Sequence, residues 1–306
     1  MPKIQYIQKK MQKKSLIKIA QANEIIEDYM SQGYKLTLRQ LYYQFVSKDL
    51  IPNNMKEYKK LGAIINDARL VGLLDWDAIE DRSRSMRGYY GSDSPEDAIR
   101  TASYRYMENK MYDQDTIVEV WVEKEALTGI IRTACSNWQL SFFACKGYPS
   151  QSSMHEAALR HRRWQNKGKD IVVLHMGDHD PSGIDMSRDI EERLRLFGSD
   201  AEIRRIALNM DQINEFNPPP NPAKMTDSRA SEYIHDFGHS SWELDALTPD
   251  QLNGLIEENV REIYDHQVWA QSVEQEEINQ ERISNIARNY DEIIEFLEVN
   301  NQGWDN

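Results

Sequence analysis

Two stretches decide how this chain folds. The first is Ile117-Val118-Glu119-Val120-Trp121-Val122-Glu123-Lys124-Glu125. The second, some fifty residues later, is Ile171-Val172-Val173-Leu174-His175-Met176-Gly177-Asp178-His179-Asp180-Pro181-Ser182-Gly183. Each is a short β-rich run that stops where its acidic residues begin and then leads into a helical pattern. Outward from residue 116, strand and helix alternate: strand 116–122, helix 124–137, strand 140–145, helix 152–165, strand 170–176, helix 183–197 and strand 202–208. Apolar strands alternating with helices predict an α/β fold with a mostly parallel sheet covered on both faces.

In open α/β sheets, ligands bind beyond the carboxyl ends of the strands. Glu123 and Asp178 fall at such ends. Asp178 and Asp180 stand two apart, so in extended backbone both project to one side. Clustered carboxylates repel unless a cation or protons intervene, and Mg2+ suits such a site because it takes one or two carboxylates plus waters and substrate phosphates. A lone aspartate at a strand end is ordinarily just solvated. Glu-Lys after one strand and Asp-X-Asp-Pro-X-Gly after another point instead to a metal site for phosphodiester chemistry.

Before residue 116 the pattern is helical. Apolar residues recur at helical spacing from about 15 to 30, and Gly33 closes that segment. Thr37 and Gln40 form a capping box ahead of Leu41-Tyr42-Tyr43-Gln44-Phe45-Val46. A third helix is expected over 55–71, followed by short strands or a hairpin at 73–76 and 79–82. Three helices and a β-wing make a winged-helix, helix-turn-helix-like domain. Its third helix carries Lys56, Lys59, Lys60 and Arg69, and its wing carries Arg82, Arg84 and Arg87. These residues, with Lys146 between the acidic segments, are the expected contacts to double-stranded DNA.

Charge divides the same way. The 306 residues carry 37 Lys+Arg and 50 Asp+Glu, a formal net charge of -13. Residues 1–90 alone are at +6 and the remainder at -19. A basic front and an acidic back suggest two different tasks. No apolar run reaches the roughly 20 residues of a membrane span, and the lysine-rich N-terminus lacks the apolar core of a secretory signal. Cys135 and Cys145 read as buried reduced thiols. A cytoplasmic protein is expected, nucleoid-associated when on DNA. The expected domains are 1–90 (winged helix), a linker helix within 91–115, the metal-binding α/β domain over 116–265, and a helical tail over 266–306.

Val122-Glu123-Lys124-Glu125-Ala126 and Gly177-Asp178-His179-Asp180-Pro181-Ser182-Gly183 resemble the Toprim signature. The version they resemble is that of the topoisomerase VI A subunit and the related meiotic double-strand-break proteins. Lys146-Gly147-Tyr148-Pro149 is similar to a short motif between the acidic segments of that family. Thr37-Leu38-Arg39-Gln40-Leu41-Tyr42-Tyr43 is similar to the helix bearing its nucleophilic tyrosine. The resemblance spans roughly residues 35 to 250. It implies a Mg2+-dependent, DNA-cleaving homodimer, with the tyrosine of one subunit meeting the metal of the other. By position the nucleophile is Tyr43, assisted by Arg39. Glu123, Asp178 and Asp180 hold the metal, and Glu123 also counts among the catalytic groups.

The chain departs from that family in several ways. It has neither GxxxxGK[ST] nor an Asn- and Gly-rich nucleotide lid, so strand passage would need a separate ATPase partner. Met176 and His179 replace the usual small residues, and the helical pattern beyond Asp265 has no counterpart. Two other functions stay open: a hydrolytic Toprim nuclease without a covalent intermediate, and a non-catalytic DNA-binding scaffold. Tyr43 on an apolar helix also reads as packing. His155, His175 and His179 are candidate general acids, with His179 better read as an orienting residue. Trp242-Glu243-Leu244-Asp245 reads more as a helix cap than as a further acidic site. Lys224 and Arg229 are candidate phosphate contacts.

Overall fold

The computed structural model describes residues 3–31, 33, 35–80, 91–223, 227 and 229–301. In chain order the elements are α1 (Lys13–Ser31), α2 (Leu38–Ser47), α3 (Met55–Leu70), α4 (Pro95–Arg105), β1 (Thr116–Val122), α5 (Thr128–Asn137), β2 (Ser141–Ala144), α6 (Gln151–Gln165) and β3 (Asp170–Met176). There follow α7 (Pro181–Leu196), β4 (Glu202–Ala207), α8 (Met210–Phe216), β5 (Asn221–Pro222), α9 (Ala230–Phe237), β6 (Ser240–Ser241), α10 (Pro249–Ile263), α11 (His266–Arg288) and α12 (Tyr290–Asn301). Short 3-10 turns lie at Glu125–Leu127 and Leu244–Ala246. The chain forms two compact units, one of residues 1–85 and 117–262, the other of residues 86–116 and 263–306.

The first unit is built on a parallel four-stranded sheet in the order β2-β1-β3-β4. The two central strands are the apolar ones. After its first residue each is buried throughout, because helices cover both faces. The edge strands β2 and β4 are partly exposed. Both inner strands end at one edge of the sheet, so Glu123 and Asp178 emerge side by side. A small antiparallel pair, β5 with β6, carries the chain back towards that edge.

In the same unit α1, α2 and α3 pack around Ile19, Ala22, Ile25, Leu41, Phe45, Leu61 and Ile65. The capping box at the start of α2 forms as expected between Thr37 and Gln40. Beyond α3, the expected strands at 73–76 and 79–82 do not pair with each other among the described residues. Asp75 accepts a hydrogen bond from the Asp77 backbone N–H at 2.8 Å, which makes a turn where a strand was expected. Ile79 instead makes an isolated parallel bridge to Leu36. Arg82, Arg84 and Arg87 lie outside the described residues, as does Lys224.

The second unit pairs α4 with α11. The linker helix expected within 91–115 is α4, which stops at Arg105. Beyond it, Glu276 of α11 accepts from the Glu108 backbone N–H at 2.8 Å and from Lys110. The glutamate-rich C-terminal pattern is two helices broken at Asn289. Among the described residues, no helix is long and apolar enough to cross a membrane.

Candidate active site

Glu123 leaves β1 and Asp178 follows β3 after Gly177. The Asp178 backbone N–H donates to Glu123 Oε2 at 2.8 Å. Gly177 is needed for this approach, since a Cβ there would lie 3.1 Å from the Arg205 guanidinium and 3.2 Å from Glu123 Oε2. The next three residues alternate as an extended backbone requires. Asp178 faces the sheet edge. His179 exchanges backbone hydrogen bonds with Trp242 and packs its ring against Tyr233, Phe237 and Trp242. Asp180 caps α7, its Oδ1 accepting from the Gly183 N–H at 2.7 Å and the Ser182 hydroxyl at 2.8 Å.

Asp178 is also held from two other sides. Its Oδ1 accepts the Leu244 backbone N–H at 2.8 Å, and its Oδ2 lies 2.7 Å from Lys124 Nζ. Lys124 reaches Glu243 at 2.9 Å and Asp245 at 3.1 Å as well. Arg39 of α2 pairs with the same two carboxylates, at 2.9 Å for Asp245 and closer still for Glu243. Tyr43 lines the same recess as Glu243, and the Arg39 guanidinium sits 5.8 Å from the centre of the Tyr43 ring. An ionic chain therefore runs from α2 to the sheet edge, beside Tyr43: Arg39, then Glu243 and Asp245, then Lys124 and Asp178, whose backbone N–H reaches Glu123.

Tyr42 turns away from this chain. Its hydroxyl donates to Asn53 Oδ1 at 2.9 Å and to the Asn54 carbonyl at 3.2 Å. Of the two adjacent tyrosines, Tyr43 is the one that meets the charged groups. A cavity of ≈ 180 Å³ opens beside it, lined in part by Arg39, Asn53, Asn221 and Glu243.

Five carboxylates (Glu123, Asp178, Asp180, Glu243 and Asp245) gather here against three cations, Lys124, Arg39 and Arg205. Among the described residues Glu123 has no ion-pair partner. Burial, and then the Asp178 charge, raise its pKa to about 7. Burial alone would push Lys124 down, but Asp178, Asp245 and Glu243 outweigh it and hold the ammonium charged. Glu243 goes the other way, lowered to about 2: burial opposes ionisation, and Lys124 and Arg39 more than offset it. Tyr43 is pushed up by burial first and by Glu243 second.

Among the described residues no three His, Cys, Asp or Glu side chains are disposed to chelate a metal ion. Magnesium needs fewer, since water and phosphate complete its shell. Glu123 with a neighbouring aspartate is a donor set that fits it, and the uncompensated Glu123 charge is what a divalent ion would neutralise. Asp180 lends its Oδ1 to the cap of α7.

The remaining expected residues are dispersed. Lys56, Lys59 and Lys60 line one surface recess with Met55 and Ala63, and Lys60 pairs with Glu57 at 2.5 Å. Arg69 is turned elsewhere, donating to the Trp76 and Ile79 carbonyls and lying over the Trp76 ring. Lys146 is exposed and pairs with Glu125 at 2.9 Å. Arg229 is taken up by Asp185 and Asp227. Burial lowers His175 to about 3 and His179 to about 4, so neither carries a proton to donate near neutrality. His155 packs on Phe197.

Two features went unread in the sequence. Glu243 and Asp245 belong to the ionic chain rather than to a simple cap, Asp245 reaching it from the 3-10 turn that follows Glu243. Arg205 is the other. From β4 it donates to the carbonyls of Asp178 (2.7 Å), Gly183 (2.8 Å), Gly177 (3.0 Å) and Leu208 (3.2 Å), and so pins the turn that carries the aspartates. An arginine inside a strand carries no sequence mark of that role. Compared with protein-family models, curated proteins and solved structures, the chain matches none.

Proposed function

We propose that this chain is a magnesium-dependent DNA-cleaving protein resembling the topoisomerase VI A subunit, with a winged-helix region ahead of a Toprim-like domain. The observation that carries the proposal is the joining of Arg39, beside Tyr43, to Lys124 through one carboxylate, Glu243, with Lys124 in turn paired to Asp178 next to Glu123. A tyrosine, two cations and a sheet edge with excess negative charge are the parts that a phosphodiester transfer needs. Arg39 and Lys124 would neutralise the phosphate oxygens. The Tyr43 oxygen would bond to phosphorus while a P–O bond to deoxyribose breaks, the phenolic proton passing through solvent to the departing oxygen. A magnesium ion bound by Glu123 and a neighbouring aspartate would supply Lewis-acid stabilisation of the phosphate. The lysines of α3 would grip double-stranded DNA. A homodimer would cut both strands, and strand passage would require a separate ATPase partner.

Tyr43 favours a second reading as well. Burial holds its phenol protonated, which is the wrong direction for a nucleophile. A hydrolytic nuclease using the same carboxylates with water fits that observation. Supercoiled plasmid incubated with the protein and Mg2+, with and without proteinase treatment, separates the readings. Covalent cleavage leaves protein on the DNA ends, and Tyr43→Phe abolishes the adduct while Asp178→Ala abolishes all cleavage. Normal adducts from Tyr43→Phe would refute the tyrosine's role. Cut ends free of protein favour the nuclease. DNA retention without any cut, unchanged by Asp178→Ala, leaves a binding scaffold.

A further inference from the structure

Glu243 sits where an anion would be expected. Its carboxylate takes Arg39 and Lys124 at once, two cations from distant parts of the chain, beside the Tyr43 ring. That is a donor set used to hold a phosphate oxygen: a guanidinium and an ammonium. The two carboxylates that both cations share differ in access. The Asp245 side chain is 2% exposed and fixed, whereas that of Glu243 is 27% exposed and borders the ≈ 180 Å³ cavity beside Tyr43.

We infer that Arg39 and Lys124, with Tyr43 beside them, form a seat for a phosphodiester group, and that the chain's own Glu243 occupies this seat until DNA displaces it. The inference rests on the phosphodiester reading above and adds to it a built-in competitor. The exchange conserves charge, since one monoanion leaves the two cations as another arrives while Asp178 and Asp245 stay in place. Only the Glu243 side chain has to turn, because the Trp242–His179 backbone bridge anchors the residue before it. The cavity gives it room. A site closed by its own side chain binds its ligand more weakly, in proportion to the fraction of time that it stands open. Glu243 would thus weaken non-productive phosphate contacts and hold Arg39 and Tyr43 in position while DNA is absent.

The test is equilibrium binding of a fluorescein-labelled 20-base-pair duplex, followed by anisotropy across a salt series in EDTA, where cleavage plays no part. Glu243→Ala is expected to bind roughly tenfold more tightly than the unaltered protein, the gain of about one charge-assisted contact. Its log-affinity against log-salt slope should steepen by about one for each cation freed. Asp200→Asn removes an exposed charge ahead of β4, at the opposite end of that strand from the acidic edge, and serves as the control for a general field effect. In Arg39→Met the gain from Glu243→Ala should vanish. Thermal melts report folding, and Glu243→Gln takes the place of the alanine variant if that one unfolds. The inference fails if the Glu243 variants bind no better, if Asp200→Asn gains as much, or if the gain survives in Arg39→Met. A plasmid that stays uncut with Mg2+ would count against the cleavage reading while leaving this binding result intact.

Discussion

Arg205 of β4 donates a hydrogen bond to the backbone carbonyl of Asp178 across 2.7 Å, so that a guanidinium shapes the turn carrying the acidic residues. The same side chain satisfies the carbonyls of Gly177, Gly183 and Leu208. Burial lowers its pKa to about 10, against the pull of Glu123, Asp178 and Asp180, and still leaves it charged at neutrality. Arg205→Met would strand these carbonyls without donors. A loss of roughly 3 kcal/mol or more is expected in urea denaturation. Arg205→Lys should fall between the two, since an ammonium keeps the charge but not the fork.

Gly183 is the tightest point of the same turn. A Cβ there would collide with the Asp178 carbonyl oxygen and come within 3.0 Å of its carbonyl carbon. The obstruction is backbone, so no rotamer change relieves it. Gly183→Ala should cost about 3 kcal/mol by denaturant midpoint and should weaken Mg2+ binding measured by calorimetry, because Asp178 moves with the turn.

Glu119, on the buried side of β1, receives Arg160 through two hydrogen bonds of 2.7 and 2.8 Å and the Trp121 indole N–H at 3.0 Å. Burial raises its pKa, but Arg160 and His161 outweigh that and bring it to about 2 from the ordinary 4.5. The folded-state value is depressed, so the stabilisation is present above pH 4.5 and is lost as pH falls towards 2. Glu119→Gln should lower stability at pH 7 by roughly 2–3 kcal/mol. It should also flatten the acid limb of a stability-against-pH curve, which denaturation at a series of pH values will show.

Glu123 has the opposite sign. Its folded-state pKa is raised to about 7, so stability in EDTA should fall as pH climbs from 4.5 through 7. A divalent ion competes with that proton. Magnesium affinity by calorimetry is expected to rise with pH and to drop roughly tenfold per unit below pH 7. Glu123→Gln should abolish the pH dependence. An unchanged profile in that variant would show that another group binds the ion.

Much of the fold was legible because it rests on local rules. The apolar runs at 117–122 and 171–176 marked the central strands, Thr37 and Gln40 marked the start of α2, and the helical pattern over 183–197 marked α7, which begins two residues earlier at Pro181. The legible part of the site was likewise what the strand ends dictate: Glu123 beside Asp178, with Asp180 two residues on. Where local rules are weak the reading slipped. Asp75 turned the chain at an expected strand, α4 ended at Arg105 although the segment beyond it still meets α11 through Glu276, and Arg69, which reads as a surface cation, was drawn in by two carbonyls.

Sequence alone determined the parallel α/β core and the placing of acidic residues at its carboxyl edge, since strand periodicity and helix caps act over a few neighbouring residues. Tertiary structure alone decided which charges meet. Arg39 and Glu243 are 204 positions apart, and Arg205 lies 27 from the carbonyl it holds. Their pairing follows from the way buried charges must find partners once the core has closed around them, and no spacing along the chain records that requirement.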